Sequence, residues 1–162
     1  MSRFTGLWLY DKIYSQRRMN TMHISTKCSI AIHCLIFISE YGKTRKVTSE
    51  LLSLSTGSNP VTIRNIVSAL KKEGILSVKF GTGGTTLNCP LEEITLYRIC
   101  SAIEPDFLDK LIGIHTMPSP LCPVGKNIHN VLDTSYAKIR EDLQNSLHNV
   151  SMKEIVDNYH NL

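Results

Sequence analysis

Apolar stretches separated by capping residues and glycines divide the front half of the chain into short helices. Ser25 is placed to cap a helix that is apolar around most of its circumference and that ends at Gly42. Thr48 then begins a shorter apolar stretch, which stops at Gly57. This pattern predicts two successive helices, the first of them buried on most sides.

A third helix has one apolar stripe and one largely polar, basic face. Pro60 suits its first position, with Asn59 or Ser58 as its N-cap, and Gly74 closes it. Apolar residues recur at the i, i+3, i+4, i+7 spacing that a single buried helix face requires, namely Ile63, Ile66, Val67 and Leu70. The opposite face consists of Val61, Thr62, Arg64, Asn65, Ser68, Lys71 and Lys72.

A β-hairpin follows the third helix directly. Residues 75–80 and 85–88 have the composition of strands, and residues 81–84, Gly-Thr-Gly-Gly, form the turn between them. A phosphate-binding loop would need a helix after its glycines, so the alternatives are a DNA-touching wing and a plain hairpin turn. Two helices joined by a tight turn, with a hairpin after the second, predict a winged helix-turn-helix.

The back half is predicted to be helical. We expect a helix over residues 92–103, a looser segment with several prolines, and a long helix from Pro123 to about Asn149. A last short helix begins with a capping box at Ser151 and ends near Asn158. The long helix has one apolar stripe, formed by Ile128, Val131, Leu132, Tyr136, Ile139, Leu143 and Leu147. It is longer than so small a domain needs for its own core, so packing against a second copy is expected. The alternative is a helix folded back entirely on its own domain.

The predicted fold is therefore mainly α with a small β-hairpin wing. We assign residues 1–21 to an N-terminal extension, residues 22–90 to a winged helix-turn-helix DNA-binding domain, and residues 91–162 to a helical dimerisation region with a possible sensing role. Their formal charges are +3, +5 and −4, which sum to the net +4 of the chain. This asymmetry suggests that the front half meets a polyanion. The extension is either a mis-assigned start or an extra arm on DNA.

Composition restricts the class of protein further. The chain has 162 residues, of which 42% are hydrophobic and 20% charged, so it is expected to form one globular domain with an appendage. Its longest apolar window is far shorter than the roughly 18 to 20 residues that span a bilayer, and the N-terminus does not resemble a signal peptide. Five cysteines without an export signal indicate reduced thiols in the cytoplasm.

No enzymatic constellation stands out. The sequence lacks a Ser/His/Asp set, paired carboxylates or a complete set of metal ligands at usable spacing, so we expect no catalysis and no bound cofactor. His33 lies inside the first apolar helix and is expected to be a core residue.

Five short motifs in the same order resemble the Rrf2 family of bacterial winged-helix transcription regulators. The resemblance runs from Met22 to about residue 150 and is closest to a branch of small, cluster-free regulators. It implies a cytoplasmic homodimer that binds an inverted-repeat operator in double-stranded DNA and usually represses. The motifs are His23 to Lys27, Asn59 to Arg64, Leu70 to Leu76, Gly81 to Gly84, and Pro90 to Leu96.

The resemblance also implies residue roles. Base-reading positions lie at the start of the third helix, where Arg64 suits a guanine edge, Asn65 an adenine edge, and Val61 or Thr62 a thymine methyl group. Pro60 belongs to the same set. Phosphate contacts are expected from Thr26, Lys27, Lys71 and Lys79, and wing contacts from Gly81, Thr82, Gly83 and Gly84. The dimer interface is expected to consist of Ile128, Leu132, Tyr136, Ile139 and Leu143.

The cysteines argue against an iron–sulfur cluster. Cluster-bearing relatives have three closely spaced cysteines before the long helix, whereas this chain has only Cys122 there, with Cys89 and Cys100 lying 33 and 22 residues upstream. We therefore predict no metal centre. Cys28, Cys34 and Cys100 lie on apolar stripes and are expected to be core residues.

Cys122 has two interpretations. It directly precedes Pro123, near the positive end of the long helix, where the helix dipole favours a thiolate and a redox-sensing role. The favoured alternative is a buried small hydrophobe. A signal received by the back half, whether a small molecule or an oxidant, remains compatible with the sequence. A winged-helix module that binds protein and not DNA is a further alternative.

Overall fold

The computed structural model describes residues 24–79, 83–113 and 115–162. Residues 1–23, residues 80–82 at the wing turn, and residue 114 therefore lie outside the described residues. The described chain is mainly helical, with one antiparallel pair of strands, which confirms the predicted fold class. Its elements are α1 (Thr26–Tyr41), α2 (Ser49–Thr56), α3 (Pro60–Lys72), β1 (Leu76–Lys79), β2 (Gly84–Leu87), α4 (Leu96–Ile103), α5 (Phe107–Leu111), α6 (Pro123–Asn149) and α7 (Met152–His160), and a 3-10 turn covers Leu91–Glu93.

The three front helices begin at the predicted caps. The Ser25 side chain accepts a hydrogen bond from the Lys27 amide at 3.3 Å, and the Thr48 hydroxyl accepts one from the Leu51 amide at 3.2 Å. The Asn59 side chain accepts from the amide of the second residue of α3 at 2.8 Å. Each bond satisfies an amide that has no partner within the helix. The starts of α1, α2 and α3 are thus fixed by local sequence.

The hairpin packs against the segment between α1 and α2, which contains Val47. Its strands pair antiparallel, with Lys79 opposite Gly84, and the Thr85 amide donates to the Val47 carbonyl at 2.9 Å. Gly84 has a φ of 75°, and a Cβ atom there would lie 3.0 Å from the Val47 amide nitrogen and carbonyl oxygen. The second strand begins at this glycine, one residue earlier than the sequence predicts, because Gly84 pairs with Lys79 in the ladder.

One core joins the front helices to the end of the chain. The four residues of the α3 stripe are buried at its centre, and Met152 and Val156 of α7 pack into the same cluster. Residues on both sides of the predicted domain boundary therefore share one core. Its other main buried contributors are Ala31, Cys34, Leu35 and Ile38 of α1, Leu52 of α2, and Ile75, Leu76, Ile94 and Ile99.

The helix predicted over residues 92–103 was wrong in its first part. Residues 94–95 are extended, because Ile94 accepts a hydrogen bond from the Met152 amide at 2.7 Å, while the Leu96 amide donates to the Val150 carbonyl at 2.9 Å. These bonds tie the start of α4 to the link between α6 and α7. The Thr95 hydroxyl then caps α4. The segment predicted to be loose also contains a short helix, α5, whose Phe107 is buried.

The long helix has the predicted bounds and little contact with its own domain. It has 27 residues, which corresponds to about 40 Å. Leu147 is its one buried residue, and near it the rings of His148 and Tyr97 stack at 4.1 Å. Most of α6 therefore extends away from the core. Within the described ranges, no helix is long and apolar enough to cross a membrane.

His33 is exposed, so its expected core position was wrong. Its Nε2 atom lies 3.1 Å from the hydroxyl oxygen of Ser55 on α2. The apolar residues of α1 are distributed so widely that the sequence does not show which side stays open. The buried side is the one that carries Cys34, Leu35 and Ile38.

Substitution of two glycines tests the close packing beneath the wing. Gly57 and Gly84 both have positive φ, but a Cβ atom at Gly57 meets nothing within 4 Å. We expect Gly57→Ala to lower the free energy of unfolding by about 1 kcal/mol through backbone strain alone. Gly84→Ala adds a clash with Val47, and we expect a loss about 1–3 kcal/mol larger. Urea unfolding measures both, and equal losses would contradict the described packing.

Candidate nucleic-acid interface

The exposed face of α3 is the centre of the candidate site. Val61 is 55% exposed although it is apolar. Pro60, Arg64 and Asn65 are also exposed, whereas Thr62 is half-buried. Because the opposite stripe is buried, the helix cannot rotate these side chains inward. The start of α3 therefore presents a guanidinium, an amide and an apolar group together.

The first turn of α1 lies beside this face. Lys27 borders a shallow depression of about 140 Å³ together with Thr62 and Asn65 of α3. Thr26 and Lys27 are both exposed. The structure thus brings the predicted phosphate-binding residues of α1 next to the predicted base-reading residues of α3.

The wing contributes the side chain of Lys79 and two closely packed glycines, Gly83 and Gly84. Lys79 is exposed at the end of β1, and a Cβ atom at Gly83 would come within 2.3 Å of its Cβ. Gly84 is buried against Val47, unlike the other predicted contact residues. Gly81 and Thr82 lie outside the described residues.

An acidic side chain of α2 lies within electrostatic reach of Arg64. Hydrogen bonds to its own backbone amide and to the Thr48 hydroxyl lower the pKa of Glu50, and the charge of Arg64 lowers it further. The carboxylate is therefore ionised at neutral pH. Glu50 does not stand out in the sequence, because its proximity to Arg64 depends on how α2 packs on α3.

Arg98 is a second residue that sequence reasoning missed. Its guanidinium donates to the Glu73 carbonyl at 3.0 Å and to the Glu93 carbonyl at 3.3 Å, and it forms an ion pair with the Glu73 carboxylate at 3.7 Å. Glu73 is the C-cap of α3. Arg98 therefore holds the C-terminal end of α3 against α4. Arg98 and Glu73 are distant in the chain, so no local sequence pattern connects them.

The apolar stripe of α6 is covered only in part. Val131 is 67% exposed and Ile139 is 53% exposed. The other predicted interface residues are half-buried: Ile128, Leu132, Tyr136 and Leu143. Val131 and Ile139 therefore remain available for contact with another chain.

The cysteines divide into buried and accessible groups. Cys28, Cys34 and Cys100 are buried, as predicted, and burial raises the pKa of the Cys34 thiol to about 11. Cys89 is half-buried. Cys122 is exposed at the N-cap of α6, so the favoured expectation of a buried residue was wrong. It lies in an exposed turn that packs on no apolar cluster. Among the described residues, no three His, Cys, Asp or Glu side chains converge as a metal site.

The helix-turn-helix, its hairpin and its exposed basic face define a winged-helix DNA-binding regulator. The chain belongs to the Rrf2 family, since the family model described as an iron-dependent transcriptional regulator matches residues 24–158. It is 34% identical over 134 residues to YwnA of Bacillus subtilis (strain 168), which is named as an HTH-type transcriptional regulator. That match covers 83% of this chain and 97% of YwnA.

Solved structures share the fold. A transcriptional regulator from Lactobacillus plantarum matches with a TM-score of 0.68 and 25% identity, covering 83% of this chain and 89% of that one. The oxidised form of CymR from Staphylococcus aureus matches with a TM-score of 0.59 and 18% identity, covering 83% of this chain and 95% of that one. The latter likeness concerns the fold alone.

Differences in burial predict how the thiols react. In the folded protein, a limiting amount of iodoacetamide should label Cys122 first, while Cys28, Cys34 and Cys100 stay unmodified because their sulfurs are shielded. Peptide mass spectrometry after timed quenching measures the order. Labelling in denaturant, where every thiol is accessible, is the control. If Cys122 reacted no faster than the buried thiols of the folded protein, its exposed position would be wrong.

Proposed function

We propose that this protein is a homodimeric transcriptional repressor that binds an inverted-repeat operator through α3 and carries no iron–sulfur cluster. The observation that carries the proposal is the exposed start of α3 beside the first turn of α1. Membership of a family of transcription regulators supports DNA as the partner.

Base recognition is assigned to the first two turns of α3. Arg64 has the donor pair that fits the O6 and N7 atoms of guanine, and Asn65 the donor and acceptor that fit adenine. Val61 and the Thr62 methyl group suit contact with a thymine methyl, and Pro60 brings the backbone close to the groove. Glu50 fits a role in orienting the Arg64 guanidinium before DNA binds.

Phosphate contacts are assigned to the edges of the same face. Thr26 and Lys27 lie on the α1 side, Lys71 lies near the end of α3, and Lys79 lies on the wing. Such contacts fix the register of a protein on DNA without reading sequence. We also assign Gly81, Thr82 and Gly83 to the wing contact, and Gly84 to holding the wing against Val47.

Dimerisation is assigned to α6. Its uncovered stripe is self-complementary if two copies pack around a two-fold axis, an arrangement that buries the same residues on both chains. Such a pair presents two α3 helices about 34 Å apart, one turn of DNA, as an inverted repeat requires. The anchoring of α6 through Leu147 and α7 connects this interface to the DNA-binding core.

A thiol-based signal at Cys122 is the second candidate function. Its sulfur is exposed and lies at the N-terminal end of α6. Oxidation there would act on the start of the proposed dimer helix. Because Cys122 is the one cysteine in the segment before α6, the donors that a cluster needs are missing from that segment.

Two substitutions distinguish base reading from phosphate binding. Bound fragments are first selected from random duplex DNA, and affinity is then measured at several salt concentrations. Arg64→Ala should relax preference at one base pair of each half-site, a loss of about 1–3 kcal/mol in discrimination. Lys79→Ala should weaken all sequences alike and reduce the salt slope by about 1 per subunit.

The reverse pattern would refute the two roles. A folded protein that shows no salt-dependent binding to any duplex would refute the DNA-binding function altogether and favour a protein-interaction module.

A charge on the α6 stripe should break the dimer. Ile139 is exposed in the single chain, so Ile139→Glu costs little folding stability but places a carboxylate in the proposed interface. Sedimentation velocity should show a monomer for this variant at concentrations where the wild type is a dimer. Lys138→Glu, at the neighbouring exposed position, is the control and should remain dimeric. A wild type that stays monomeric at every concentration would contradict the assignment of α6.

A further inference from the structure

Two buried thiols from different helices face each other. Cys28 is the third residue of α1 and Cys100 lies in α4, and their side chains are 0% and 2% exposed. The two thiols lie close enough for each to affect the pKa of the other. Both belong to a small apolar cluster with Phe107, Leu111 and Leu147. The contact thus lies where α1 meets the dimerisation half.

We propose that Cys28 and Cys100 are a redox-active dithiol, which hydrogen peroxide oxidises to an intramolecular disulfide. Their shared place in one small buried cluster brings residues of two helices together, as that bond requires. The third buried cysteine, Cys34, belongs to the main core instead and serves as a control. The site is separate from Cys122.

The environment distinguishes the roles of the two sulfurs. The neighbouring Cys100 sulfur, together with burial, raises the pKa of the Cys28 thiol. The neighbouring Cys28 thiol lowers the pKa of Cys100, while burial and the charge of Glu104 oppose the change. We therefore assign Cys100 as the attacking sulfur and Cys28 as the resolving sulfur, and an exchange of the two roles gives the same disulfide.

The oxidation balances with one peroxide. The Cys100 thiolate attacks a peroxide oxygen, so an S–O bond forms, the O–O bond breaks and hydroxide leaves, giving a sulfenic acid. Cys28 then attacks that sulfur, so the S–S bond forms, the S–O bond breaks and a second hydroxide leaves. The two hydroxides take up the two thiol protons. One hydrogen peroxide and two thiols thus give one disulfide and two water molecules.

Access to the pair comes from the first turn of α1. Helix ends open locally far more readily than a whole domain unfolds, and Cys28 lies in that turn. Hydrogen peroxide is small and uncharged, so a brief opening admits it. The reaction should therefore be slower than modification of exposed Cys122.

Disulfide formation acts on the candidate DNA interface. Bonded sulfurs lie about 2 Å apart, closer than any nonbonded contact, so the first turn of α1 must move towards α4. Lys27, adjacent to Cys28, borders the depression shared with Thr62 and Asn65. The bond therefore shifts a phosphate-binding side chain relative to α3. This consequence, unlike the disulfide itself, rests on the proposed function.

Peptide mapping tests the disulfide directly. The full-length Cys122→Ser protein, fully reduced, is treated with hydrogen peroxide under native conditions, then alkylated and digested without reductant. We expect a peptide pair linked through Cys28 and Cys100, and an intact mass about 2 Da lower. Cys34→Ala should leave the linked pair unchanged, and Cys28→Ala should abolish it. If Cys28 and Cys100 stayed alkylatable after unfolding, while the protein remained folded during treatment, the proposal would be overturned.

The same samples test the effect on DNA. Affinity for the selected duplex should fall at least about fivefold on oxidation and return after reduction, in Cys122→Ser but not in the additional Cys100→Ala variant. A linked pair with unchanged affinity would overturn the regulatory consequence. Failure of the reduced protein to bind any duplex would refute the proposed function, and the mapping would still decide the disulfide.

Discussion

The burial of one helix stripe orients the surface on which the function depends. Ile63, Ile66, Val67 and Leu70 of α3 are at most 7% exposed. At about 25 cal/mol per Å² of apolar surface, rotating α3 to expose them would cost several kcal/mol. The polar and basic face is therefore held outward by the same packing that stabilises the domain. The N-cap of α3 at Asn59 and the Arg98 contact at its C-terminal end fix the position of this helix along its own axis.

The long helix α6, in contrast to α3, has an apolar stripe that its own domain buries only in part. Its C-terminal end is anchored through Leu147, but its stripe carries exposed branched residues such as Val131 and Ile139. An isolated helix gains little from such a face, and the proposed second copy would bury it. The backbone pairing of Ile94 with Met152 connects this helix to α4, and α4 holds α3 through Arg98. The position of α6 and the orientation of the exposed α3 face are thereby linked through α4.

Local sequence was sufficient where caps and periodicity act within a few residues. The starts of α1, α2 and α3, the buried stripe, the hairpin and the bounds of α6 all followed from such signals. Predictions were wrong where the conformation or exposure of a residue depends on contacts with residues distant in the sequence. Ile94 is extended because its partner Met152 is distant in sequence, and His33 is exposed because helix packing, not composition, decides which side of an apolar helix stays open.

The candidate site shows the same division. The exposed face of α3 could be predicted from the pattern, whereas its proximity to Lys27 and Glu50 and its attachment through Arg98 arise from tertiary packing. The Cys28 and Cys100 pair is likewise invisible in the sequence, since both residues resemble ordinary core positions. Residues that act through a partner from another helix are therefore the ones that only the structure identifies.

The most direct test of the central claim is an amide chemical-shift titration of the full-length protein with the selected duplex. The account predicts that the largest changes fall at residues 59–65, at Thr26 and Lys27, and at Lys79, with the buried stripe of α3 little affected. Large changes confined to other surfaces, with residues 59–65 unmoved at saturating duplex, would contradict it.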